Sequence, residues 1–147
     1  MNTFFDPKVQ QDLLGRLGAL EPGSRARWGR MDVAQMLAHC TESMKMPTGE
    51  LAVKGGLPAL FGWLFKKIAY DDHPFRENAP TATELKIAGT REFELEKARF
   101  LVEYMKLAKG PAVITQIRHP FFGRLTPEQW GILLFKHLDH HFRQFGA

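Results

Sequence analysis

TPEQWGILLFKHLDHHFRQF, Thr126 to Phe145, announces a helix from its first residue. Thr126 is a suitable N-cap, Pro127 fits the first turn, and Gln129 completes a capping-box pattern. At about 100° per residue, Trp130, Leu134, His137, His141 and Phe145 fall within one arc of about 80°, which makes that arc the buried seam. Two imidazoles one turn apart are therefore expected to face the interior. His140 lies some 60° or more from His137, toward the polar side shared with Lys136 and Arg143, and is expected at the rim or in solvent. Asp139 points to the opposite, polar face.

Working outward, three further stretches carry helical spacing. Asp6 to Leu20 places Val9, Leu13, Leu14, Leu17 and Leu20 on one face behind an Asp-Pro start. A second helix is expected from Asp32, with Gln35 closing a capping box, to Pro47; Val33, Met36, Leu37, Cys40 and Met44 form its apolar stripe. His39 stands at the edge of that stripe and can face inward. Thr90 to Lys109 carries acids early and lysines late, as the helix dipole favours, and ends at Gly110-Pro111. PAVITQIRHPFFG has β-branched residues but no evident strand partner, and reads as extended connection.

Thr48 to Thr83 is mainly connection, broken by the helix-like run LPALFGWLFKKIAY, Leu57 to Tyr70. The apolar residues of this run surround the whole helical wheel, so core or interface packing is expected rather than a membrane-surface helix. Its Phe61, Trp63 and Phe65 offer an apolar patch that a second copy of the chain could bury. The expected fold is all-α: one four-helix bundle domain over residues 1–147, with a long irregular connection holding a short helix between the second and third helices.

A chain of 147 residues can bury a sizeable core, and 44% apolar with 24% charged residues is ordinary for a globular protein. No segment approaches the roughly 20 apolar residues that cross a bilayer, and the N-terminus lacks signal-peptide character, so a cytoplasmic location is expected and no membrane partner. The net charge of +4 comes from scattered basic residues without a recognised motif, so no nucleic-acid partner is expected either. The single cysteine, Cys40, is read as a small core hydrophobe.

An i, i+4 histidine pair such as His137 and His141 suits a divalent transition metal, but a third ligand must come from elsewhere. His39, in the middle of a facing helix, is the best donor, because metal sites in bundles are built from inward side chains of facing helices. His73 and His119 each precede proline and so sit on extended or turn backbone; His119 could still close over the site. Gln144, three residues after His141, returns to the histidine side and can orient a ligand or water. Against this stands a plainer reading, in which the imidazoles hydrogen-bond to buried backbone or carboxylates and bind nothing.

QMLAHC around His39 and HLDHHFRQ from His137 to Gln144 together resemble the DinB/YfiT-like metalloprotein superfamily. RWGRMDVAQMLAHC with HPFFGRLTPEQWGILLFKHLDHHFRQFG is similar to a DinB-like branch described only as a domain of unknown function. The resemblance covers essentially the whole chain. It implies a four-helix bundle holding a divalent metal, zinc or nickel foremost, on His39, His137 and His141, and a homodimer. It also implies a bacterial protein acting on a small-molecule substrate, within a class of thiol-dependent transferases and isomerases that use low-molecular-weight thiols of the bacillithiol or mycothiol kind, a thiol S-transferase being the leading member. Gln144, His119, His140, Tyr104 and Glu42 stand as pocket candidates by position, with the catalytic acid and base unassigned. The alternative is a non-catalytic metal- or ligand-binding bundle, dimeric and stress-linked.

Overall fold

The computed structural model of the chain describes residues 1–54 and 62–147. The expected segment Leu57 to Phe61 and the side chain of Trp63 lie outside the described residues. Among the described residues there are four long helices and one small two-stranded sheet. The helices are α1 (Pro7–Ala19), α2 (Val33–Met44), α4 (Phe93–Leu107) and α5 (Pro127–Gln144), with the four-residue α3 (Gly62–Phe65) between α2 and α4. None of these helices is long and apolar enough to cross a membrane.

Local chemistry starts each helix where the sequence places a cap. Asp6 accepts from Lys8 N–H at 2.8 Å, ahead of Pro7. Both capping boxes form in full: Gln35 N–H donates to Asp32 and Asp32 N–H to Gln35, and Gln129 and Thr126 do the same for α5. The third long helix begins at Phe93 rather than Thr90, because Glu92 caps it by accepting from Glu94 and Leu95 N–H. α2 stops at Met44, short of Pro47, where the N–H groups of Lys45 and Met46 turn to the i−3 carbonyls of Glu42 and Ser43. Gly110, at φ 114°, breaks the chain after α4 in a conformation that disfavours any side chain.

α2 packs along α4, and α5 lies against both α1 and α2. Between them Met36, Leu37, Met44, Phe100, Tyr104, Leu107, Leu138 and Phe142 are fully buried. Near the amino terminus Phe4 N–H donates to Gly131 O at 2.9 Å, and a methyl group on Gly131 would lie 2.6 Å from Phe5 Cδ2. The extended connection expected from Pro111 to Gly123 is more structured than that. Pro111–Val113 form a 3-10 turn, and β1 (Arg118–His119) pairs antiparallel with β2 (Gly123–Arg124). The missing strand partner is simply the chain's own Gly123–Arg124, turned back through Pro-Phe-Phe.

Two side chains depart from the helical-wheel expectation for α5. Lys136 is buried, donating to Ile68 O and Asp71 Oδ1. His140 is only 8% exposed, packed against Trp28 and Phe75 with ring centroids at 5.4 and 6.3 Å. The wheel describes an isolated helix, and here connecting segments from either side of α2 and α3 cover its polar face. In the run to Tyr70, expected to pack in the core or at an interface, Ala69 is in the core whereas Leu64, Phe65 and Ile68 are exposed.

Candidate metal centre

His39 sits mid-way along α2, and the capping box fixes the register that turns it toward α5. His137 and His141 occupy successive turns of α5 on the facing side. One ring nitrogen from each of the three lies within 4.8 Å of the others. His39 Nε2 and His137 Nε2 are 3.0 Å apart, and His141 has its ring centroid 4.7 Å from both.

The opposite nitrogen of each ring is tied to a group outside the cluster. His39 Nδ1 lies 2.8 Å from Leu85 O, a carbonyl that can only accept. His141 Nδ1 lies 2.8 Å from Gln144 Oε1, and the amide is oriented by Gln144 Nε2 donating to Trp28 O at 2.8 Å. His137 Nδ1 lies 3.1 Å from Ser43 Oγ, whose hydroxyl in turn reaches Cys40 O at 2.8 Å. With Leu85 and Gln144 as acceptors, His39 and His141 carry their protons on Nδ1 and present Nε2 as a bare lone pair. If Ser43 donates to Cys40 O, His137 does likewise. Two lone pairs 3.0 Å apart then repel unless a cation lies between them. If Ser43 instead donates to His137, His137 Nε2–H bonds to His39 and the cluster is satisfied without metal.

Burial holds these imidazoles neutral. His141 is pushed down to about 3, first by desolvation and then by His39, against a small opposing contribution from Gln144. His137 falls well below the ordinary imidazole range through desolvation, with His141 and His39 adding to it. His39 is lowered by burial and partly restored by its bond to Leu85. Neutral imidazole is the form a metal takes. His39 and His141 are buried and His137 is half-buried.

The remaining candidates are placed differently. Gln144 adjoins the cluster through His141. His119 is buried over Trp130, centroids 5.2 Å apart, and its Nδ1 accepts from Phe121 and Phe122 N–H, so it secures the turn between β1 and β2. Burial lowers it to about 3. His140 touches His141 edge-on but offers no nitrogen to the group of three. Tyr104 donates to Gln10 O from among Phe4 and Phe100, and Glu42 pairs with Lys45 on a groove between α2 and α4; neither is at the cluster. His73 is exposed beside Asp71. Sequence reasoning missed Ser43, although its position four residues after His39 put it on the same face of α2. The carbonyls of Leu85 and Trp28 left no sequence signal, since any residue supplies one.

A family model described as a protein of unknown function, DUF1569, matches residues 10–147. The chain belongs to the DUF1569 family. Searches of the curated proteins and of the solved structures give no match. For this DUF1569 chain, the three buried histidines from two facing helices are the group that could hold a metal ion.

Proposed function

We propose that this DUF1569 protein is a DinB/YfiT-like metalloprotein that binds one divalent transition metal, zinc or nickel, on His39, His137 and His141. We place it among metal-dependent small-molecule enzymes, as a thiol S-transferase. The observation that carries the reading is the outward anchoring of the rings, which leaves three converging nitrogens for a cation. Three imidazoles leave a coordination position open, as catalytic rather than structural zinc sites do. A metal bound there would lower the pKa of a bound thiol or water toward neutrality.

The chain's own residues supply position and dryness. Leu85 O, Ser43 and Gln144 fix ring orientation, and such partners govern affinity nearly as much as the ligands do. The chemistry proposed is attack of a low-molecular-weight thiol on an electrophilic carbon: the S–H bond breaks and its proton is released, the C–S bond forms, and the carbon's bond to its leaving group breaks, the group departing with the electron pair.

One observation favours a second reading, a metal- or ligand-binding protein without catalysis. Tyr104 and Glu42, two of the pocket candidates, are engaged away from the cluster. Metallated protein assayed with a panel of thiols and electrophiles separates the two. Turnover that His137→Ala abolishes supports the transferase. Metal bound at full stoichiometry with no turnover across the panel sinks the transferase and leaves the binding protein.

A further inference from the structure

α3 and the β1–β2 hairpin form one surface. A methyl group on Gly62 would collide with the Phe121 carbonyl, its carbon only 3.0 Å away, so the short helix lies directly on the hairpin turn. Lys66, Ile117, Arg124 and Leu125 line a shared groove between the two elements. Leu64 and Phe65 in α3, Ile68 just after it, and Ile117 at the start of the hairpin are 44–55% exposed, a concentration of large apolar side chains. Single exposed apolar residues need no explanation, but a group of four on adjoining elements marks an interaction surface.

Four cations stand around that group, with the exposed carboxylates Asp72 and Glu128 at its margin. Lys67, Arg118 and Arg124 are exposed, and Lys66 lines the groove. None of the four forms an ion pair among the described residues, and residues 55–61 contain no carboxylate that could supply one. The next carboxylate in the chain, Asp71, is committed to Lys136. Arg118 and Arg124 are direct cross-strand partners, an arrangement of like charges that is unfavourable unless an anion lies over both.

Against the sequence-based expectation of no membrane partner, we propose that this face docks on an anionic lipid bilayer, with Leu64, Phe65, Ile68 and Ile117 entering the boundary between headgroups and acyl chains. Lys66, Lys67, Arg118 and Arg124 then meet the lipid phosphates. A bilayer answers both halves of the surface, since interfacial binding scales with buried apolar area together with attraction of basic residues to anionic lipid. A nucleic-acid backbone would satisfy the cations and leave the four apolar side chains against a strand of phosphates.

The test is co-sedimentation of the full chain with phosphatidylcholine vesicles, with and without a large fraction of phosphatidylglycerol, at low and high salt. Binding is expected to the anionic vesicles and to weaken with salt. Lys67→Gln with Arg118→Gln should lower the partition about 30-fold, at roughly fivefold for each cation. Phe65→Ser, which keeps every charge, should lower it as well. Arg25→Gln with Arg30→Gln removes the same charge from the loop near the opposite end of α5 and should leave the partition unchanged. Thermal midpoints verify that each variant is folded. Equal loss in the two double variants would reduce the effect to net charge and overturn the proposal. So would wild-type binding by Phe65→Ser, or binding to a nucleic-acid duplex but not to anionic vesicles.

Discussion

Replacing Gln144 by alanine removes two hydrogen bonds that meet at one buried amide. Its Oε1 accepts from His141 Nδ1 at 2.8 Å and its Nε2 donates to Trp28 O at 2.8 Å. The chain is built to admit this amide: Gly29, at φ 82°, has no room for a methyl group, which would lie 2.6 Å from Gln144 Nε2. In Gln144→Ala the His141 N–H and the Trp28 carbonyl lose their partners. Each unsatisfied buried group costs about 1–3 kcal/mol, so a destabilisation of about 2–6 kcal/mol is expected where water does not refill the gap. His141 is also freed to rotate or change tautomer, and loss of such an outer partner weakens metal binding about 10–100-fold. Gln144→Glu keeps an acceptor for His141 while setting an oxygen against Trp28 O. It should retain metal affinity yet lose stability, which separates the two consequences. The assays are competition for zinc against a chromogenic chelator and the urea midpoint of the metal-free protein. A Gln144→Ala variant that binds metal as tightly as wild type would refute the orienting role.

The histidines also set a pH dependence. His39, His119, His137 and His141 are held below the ordinary imidazole value of 6.5, so the unfolded chain binds more protons than the folded one at acid pH. Their contribution is fully present above pH 6.5 and is lost as pH falls toward about 3, the position of His119 and His141. Each histidine adds a slope of up to about 1.4 kcal/mol per pH unit within that window. Urea midpoints of metal-free protein should fall steadily on acidification from neutrality, and a midpoint that rises would contradict the assignment. Gly131→Ala should cost about 1–3 kcal/mol, because its methyl group meets the Thr3 and Phe5 side chains, unless the first five residues lift away. Loss of protection at the Phe4 amide in hydrogen exchange would report that lifting, and an unchanged thermal midpoint with Phe4 still protected would show the contact to be slack.

Much of the site was legible because its parts are local. Asp32 and Thr126 set the registers of two helices, and helical spacing alone then turned His39, His137 and His141 inward. The histidine at 140 was misplaced for a reason the wheel cannot contain. Trp28 and Phe75 arrive from distant connections and bury a face that looks polar in isolation, and Asp71 does the same for Lys136 by bringing it a buried partner. The hairpin was missed because two-residue strands carry no alternation to read. Ser43 was readable at i+4 from His39, whereas Leu85 and Trp28 act through backbone carbonyls, whose use is decided by tertiary contact alone.

The central claim is that the three imidazoles hold one metal. Elemental analysis of purified wild type beside a His39→Ala, His137→Ala, His141→Ala variant, each loaded with zinc or nickel and freed of excess, tests it most directly. About one metal per chain is expected in wild type, as befits three protein ligands at a single site, and essentially none in the folded variant. Equal metal content in the two proteins, or no metal retained by wild type, would contradict it.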